Sequence, residues 1–169
     1  MVELGDGQMF VELATPSQLA TTKLSRLGFT SHFDWTAPLA SAIVVGELIG
    51  RRLVGLVAFG RQPKNLANHV NLLEVRQSAR GQHHGARLLA IVAQDAFRQP
   101  GFDGYVYLTT KTTGVQRYYE SLGASRVHQQ IIFAPPASRQ LIATYLPKGS
   151  EIRWTKHRST KPFNGYRPN

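Results

Sequence analysis

The chain contains no cysteine, which excludes structural disulfides and thiolate zinc sites. It has no run approaching the ~20 apolar residues of a membrane-spanning helix. The N-terminal stretch MVELGDGQMF lacks a charged region followed by an apolar core, so no signal peptide is expected and a cytoplasmic location is the simplest expectation. There is no internal repeat and no low-complexity block. Carboxylates are scarce: 10 Asp and Glu stand against 20 Lys and Arg, for a formal charge of +10. That balance leaves few side chains for catalytic bases and favours an anionic partner such as nucleic acid, an acidic protein or a phosphorylated ligand.

What is present is enough for one domain with a core: 169 residues, 42% apolar and 18% charged. From Lys148 onward there are six Lys/Arg and one Glu, a net of +5 in 22 residues. A domain over residues 1–156 and a basic tail over residues 157–169 are therefore expected. The tail reads equally well as a solvated segment or as a nucleic-acid contact.

Residues 9–14 read as a strand. Thr15-Pro16-Ser17 starts a helix with Leu19, Leu24 and Leu27 on one face and Gly28 as its stop. Residues 41–49 and 53–59, parted by Gly50-Arg51-Arg52, form a hairpin. Residues 69–75 do not alternate cleanly, which suggests a central strand buried on both faces. Leu88, Leu89, Val92 and Ala96 fall at helical spacing up to Pro100-Gly101. A strand at 105–109, a helix at 114–122 closed by Gly123, a single strand at 126–133, a break at Pro135-Pro136, a short helix at 138–145 and a strand at 151–156 complete the reading. Strands first paired as a hairpin and then alternating with helices indicate one α/β or α+β sheet of mixed direction.

The stretch ARGQHHGARLLA, residues 79–90, carries the chemistry. Adjacent helical residues point about 100° apart, so His83 and His84 are poorly placed to ligate one ion together. No His-x-x-x-His and no carboxylate at ligand spacing accompanies them, and no metal site is expected. An anion cradle fits better. The stretch follows a strand and opens a helix, whose first N–H groups are unpaired and sit at the positive end of the helix dipole. Gly81 and Gly85 allow close backbone approach, and Arg80 and Arg87 add charge. A Walker loop is ruled out, because Gly85 is followed by Ala86-Arg87, and Gly-x-Gly-x-x-Gly is absent. A plain strand–helix turn with incidental glycines remains the alternative at this point.

EVRQSARGQHHGARLLA, residues 74–90, resembles the acyl-CoA-binding motif of the GNAT superfamily of N-acyltransferases, Arg/Gln-x-x-Gly-x-Gly/Ala after a strand ending in Val. Val75 ends the strand, and the motif falls on Arg80, Gly81, Gln82, His83, His84 and Gly85, with His83 where the family prefers glycine. TTGVQRYYESLGA, residues 112–124, is similar to the family's later helix, Asn-x-x-Ala-x-x-aromatic-Tyr-Glu-x-x-Gly-Phe. Tyr119, Glu120 and Gly123 match it, while Thr112, Val115 and Ala124 replace Asn, Ala and Phe. The resemblance covers residues 72–133 well.

The resemblance implies a single GNAT-like α/β (α+β) domain with a mixed, mostly antiparallel central sheet flanked by helices and splayed between the fourth and fifth strands. It implies acetyl-CoA as cosubstrate and direct acetyl transfer to a primary amine in a ternary complex. Backbone at Leu73 and Val75 would face the thioester; Arg80, Gly81, Gln82, His83, His84, Gly85, Ala86 and Thr112 would hold the cofactor. Tyr119 would protonate the departing thiolate, with Tyr118 as the alternative. Glu74 is the nearest candidate base, ahead of Asp34 and His69. The cluster Phe29, His32, Phe33, Asp34 and Trp35 lies where an acceptor would approach. The acceptor would be a small-molecule or peptide amine and the enzyme a homodimer. A nucleic-acid-directed protein, either a tRNA-acting acetyltransferase or a basic RNA binder, is the alternative.

Overall fold

The computed structural model describes residues 7–110 and 114–155. Thr112 and the basic tail at 157–169 lie outside the described residues. Among the described residues eight strands form one sheet: β1 (Gln8–Glu12), β2 (Ile43–Ile49), β3 (Arg52–Gln62), β4 (Ala67–Val75), β5 (Val106–Thr109), β6 (Ser125–Val127), β7 (Gln130–Phe133) and β8 (Ile152–Arg153). Their order across the sheet is β6-β7-β5-β4-β3-β2-β1-β8. The β4–β5 and β1–β8 pairs are parallel and the others antiparallel. Among the described residues four α-helices flank it: α1 (Thr21–Leu27), α2 (His84–Arg98), α3 (Val115–Ser121) and α4 (Pro135–Tyr145). Among the described residues no helix is long and apolar enough to cross a membrane.

The two faces of the sheet carry separate cores. On one, α2 and α4 bury Leu88, Leu89, Ile91 and Val92 against Val57, Phe59, Val70 and Phe133. On the other, Leu19, Leu24, Phe29 and Trp35 cover Val44, Leu56 and Ala58. α2 is buried nearly all round because it lies between the sheet and α4. Truncating one of its core leucines to alanine is worth about 2–5 kcal/mol.

The hairpin β2–β3 closes through Gly50-Arg51, with Gly50 at φ +61°. Gly28 stops α1 in the left-handed region at φ 96°, where its N–H bonds the Leu24 and Ser25 carbonyls. Three expectations change. Residues 126–133 are not one strand: β6 and β7 form a hairpin around His128, which takes φ +56° to turn the chain. Pro135-Pro136 does not break the chain but opens α4, because a missing N–H costs nothing in the first helical turn. The last strand is only Ile152–Arg153.

β4 also departs from the expected strand buried on both faces: Asn71 is exposed and Leu72 and Leu73 are half-buried. Its pairing with β3 skips a residue, since Ala58 faces Leu72 and Phe59 faces Val70. Asn71 is the extra residue of a β-bulge, which bends the strand. Pairing of β4 with β5 ends at the same point, Val70↔Leu108. Beyond it, among the described residues, residues 71–75 of β4 pair with β3 alone.

Candidate active site

The parting of β4 and β5 opens a cleft of about 720 Å³, lined by Leu73, Glu74, Val75, Ala79, Arg80, Gly81, His83, His84, Gly85, Val115 and Tyr118. One wall is the β4 backbone. Arg76 N–H bonds the Val54 carbonyl on β3. Alternation along the strand therefore points the amides of Leu73 and Val75 away from β3, into the gap. The Val75 carbonyl, on the same side, accepts from Arg80 Nε at 3.2 Å. Arg80 is further held by Nη2 donating to Thr30 Oγ1 at 2.9 Å.

The second wall is the start of α2. The amides of His84, Gly85 and Ala86 belong to its first turn and have no intrahelical acceptor. Gly81 takes φ +81°, and a Cβ there would meet nothing within 4 Å. At Gly85 a Cβ would lie 3.2 Å from Tyr118 Oη, so that glycine keeps the passage between α2 and α3 open. His83, where the family prefers glycine, adopts φ +65°. The turn requires the left-handed conformation regardless of the side chain, and histidine is among the few non-glycine residues that visit it. Its ring lies against Tyr145, centroids 5.4 Å apart. Arg87 Nη1 donates to the Gln82 carbonyl at 2.9 Å and ties the loop to the helix.

His84 points inward, 6% exposed, with Nδ1 2.9 Å from Glu47 Oε1 on β2. Gln8 Nε2 donates to the same oxygen at 2.8 Å. The two histidines thus divide: His83 borders the cleft mouth and His84 anchors the loop to the sheet. Among the described residues no three histidine or carboxylate side chains cluster closely enough to hold a metal ion.

The remaining expected residues are placed as follows. Gln82 is exposed at the loop, and Ala86 is buried beneath it. Glu74 is 7% exposed and accepts from Ser31 N at 2.9 Å, Ser31 Oγ and Trp35 Nε1 at 3.1 Å. Phe29 and Trp35 belong to the core, while His32, Phe33 and Asp34 are exposed. Tyr119 is buried, edge-on to Phe133, and burial pushes its phenol up to about 12, with Tyr118 adding to the shift. Tyr118 is the tyrosine that lines the cleft. Burial raises its phenol too, and Tyr145 contributes. Sequence reasoning did not identify Ser31 or Glu47 as partners of the site. A sign for Tyr118 was present, since it lies at i, i+3 from Val115 and the two share a helix face.

A mixed sheet parted between β4 and β5, with the start of α2 beside the gap, defines a single α/β domain with a cleft at its centre. The chain belongs to the acetyltransferase (GNAT) family, whose model matches residues 9–124. It is therefore an acetyltransferase. The fold agrees with solved structures at low identity. A GNAT-family protein of Desulfovibrio desulfuricans is 18% identical, with 74% of this chain and 96% of that one covered at a TM-score of 0.55. The KacTA–DNA complex is 14% identical, with 80% and 98% covered at 0.57. The IAA acetyltransferase of Bacillus cereus is 12% identical, with 71% and 78% covered at 0.52. No curated protein matches the chain by sequence.

Proposed function

We propose that the protein moves the acetyl group of acetyl-CoA directly to a primary amine while both are bound. The observation that carries this reading is the coincidence, at one cleft, of the Leu73 and Val75 amides with the amides that open α2. The first pair suits a thioester carbonyl, polarised by main-chain donors that need no reorganisation. The second suits a diphosphate, assisted by Arg80 and the helix dipole. Gly81 and Gly85 leave room for the diphosphate and the pantetheine arm, and so the residues present fit acetyl-CoA.

Attack by the amine forms the C–N bond and breaks the C–S bond. The departing thiolate takes a proton from Tyr119, which the motif indicates and which burial keeps protonated. Tyr118, with its ring centroid 5.5 Å from that of Tyr119, forms the cleft wall and holds the pantetheine arm. Acceptors are small-molecule or peptide amines.

Acetyl-CoA at millimolar concentration is expected to raise the melting temperature, by about 2.7 kcal/mol of stabilisation at 100 times its Kd. Thiol release from acetyl-CoA, measured over a panel of amines, peptides and aminoacyl-tRNA, then identifies the acceptor. Absence of both signals overturns the reading. Tyr119→Phe should lower kcat about 10²-fold or more at unchanged KM, and Tyr118→Phe should mainly raise KM; the reverse pattern exchanges the two roles.

A second reading rests on the charge of +10 and the +5 carried by the last 22 residues. The acceptor is then attached to nucleic acid, and the segment 157–169 contacts its phosphates. Binding of RNA that weakens steeply with salt and is lost on deleting 157–169 supports it; binding indifferent to salt refutes it.

A further inference from the structure

Acetyl transfer needs a group to take the amine's proton, and the carboxylates near the cleft are occupied. Glu74 already accepts from three donors on Ser31 and Trp35. Asp34 is exposed and is bound by the Thr36 amide and hydroxyl. Glu47 is 0% exposed beneath His84. Asp95 is held by Arg61 on the helix-covered face.

One titratable side chain stands at the root of the gap. His69 pairs with Tyr107 one position before the last β4–β5 rung, Val70↔Leu108. Val70 points into the core under α2, so alternation places His69 on the opposite face. There the second half of the sheet is open: Tyr105 is 41% exposed, and Asn65, Tyr105, Tyr107, Gln130 and Ile132 surround a cavity of about 300 Å³. The imidazole is stacked on Tyr107, centroids 4.6 Å apart, and hydrogen-bonds Asn71, the bulge residue where the gap begins. At ~3.3 Å of rise per residue, His69 lies about 13 Å along the strand from Leu73, so a chain of waters over the open sheet face would link the imidazole to the gap.

We propose that His69 is the proton acceptor for the incoming amine and that the acceptor lies on the open sheet face over Tyr107. This rests on the acetyl-transfer reading above. The amine nitrogen attacks the thioester carbon from this face. Its proton passes to the free lone pair of His69 through a chain of waters along the open face. The sulfur leaves with its electron pair and takes a proton from the tyrosine side of the cleft. The imidazolium then returns its proton to solvent.

Partial burial holds the His69 imidazole below its ordinary value, against the hydrogen bond its ring N–H donates to Asn71. It is therefore neutral at pH 7 and able to accept. Tyr107 is the titratable group against it from β5. β3 presents Gly60, with Arg61 beyond it turned to Asp95. On β4 itself Glu74 lies further along, held by Ser31 and Trp35.

The test uses acetyl-CoA and the amine that releases thiol fastest in the panel above. Wild type should show a kcat/KM that falls at acid pH through a group titrating below 6.5. His69→Ala and His69→Gln should each lose 10²-fold or more in kcat, abolish that acid limb and bind acetyl-CoA unchanged. Added imidazole should restore part of the activity of His69→Ala. Folded variants that retain kcat and the limb overturn the role of His69 while leaving the transferase reading intact. A wild type that releases thiol with no amine overturns both.

Discussion

The two ends of β4 obey opposite rules. At its start the strand is laddered on both sides, and its inward polar group joins a packed network. Asn68 Nδ2 donates to the Val92 carbonyl and to Asp95 Oδ2, both at 3.0 Å. Asp95 in turn takes Arg61 Nε at 3.0 Å and Nη2 at 2.7 Å. At its far end the strand has lost one neighbour to the bulge at Asn71, and its amides face a cleft. The first arrangement spends polar groups on fixing the fold; the second leaves backbone donors free for a ligand. A few residues separate them, so rigidity is built right up to the place where the ladder opens.

The comparison breaks most visibly at the closed end. Asp95→Ala removes the carboxylate of a buried, two-pronged ion pair with Arg61 and the acceptor of the Asn68 amide. It should cost about 3–5 kcal/mol, read from urea denaturation, with acetyl-CoA affinity preserved in whatever fraction stays folded. A variant that loses cofactor binding in proportion to nothing in its stability would show that the two ends are not separate.

At the open end the expected sign is the reverse: function falls and stability holds. Gly85→Val fills the passage beside Tyr118 Oη, where even a Cβ would come within 3.2 Å. Its φ is not in the left-handed region, so no backbone strain is added. Acetyl-CoA affinity should drop about 10–100-fold, or 1.4–2.8 kcal/mol, by calorimetry, with a melting temperature within a few degrees of wild type.

His83 tests the same end at a smaller scale. Its φ of +65° is strained for any L residue. His83→Ala removes the ring contact with Tyr145 and keeps the strain, whereas His83→Gly removes both. The glycine variant should therefore be the more stable of the two by about 1 kcal/mol in thermal melts; equal stabilities would mean the turn does not demand that conformation.

How much of this was legible follows the same division. The loop at 79–90 could be read because its requirements are local: a helix start, two glycines and adjacent charge. The hairpin β2–β3 and the stops at Gly28 and Gly123 are local in the same sense. The bulge at Asn71 could not be read, since it exists only in the register between β3 and β4. The saturation of Glu74 depends on Ser31 and Trp35, about forty residues away in sequence but across the strand in space. The turn at His128 was hidden because a histidine in the left-handed region carries no glycine to announce it. That Tyr118 rather than Tyr119 lines the cleft could not be read, because it depends on the rotation of α3, and adjacent helical residues differ by about 100°.

The smallest expected effect concerns His69, and it separates the imidazole's cost to the fold from its use in the reaction. In the folded protein partial burial keeps the imidazole below the ordinary 6.5, the value it regains on unfolding. Between those two values the unfolded chain binds more protons than the native one, so stability rises with pH in that window. His69 therefore weakens the protein as pH falls below 6.5 and contributes no pH dependence above it. His69→Gln should flatten this part of the stability profile, measured by urea denaturation between pH 5 and 7.5, and leave the curve above pH 7 parallel to wild type. A wild-type profile with no slope in that window would show the imidazole to be as well solvated in the fold as in the unfolded chain. It would also remove the argument that burial readies it to accept a proton at neutral pH.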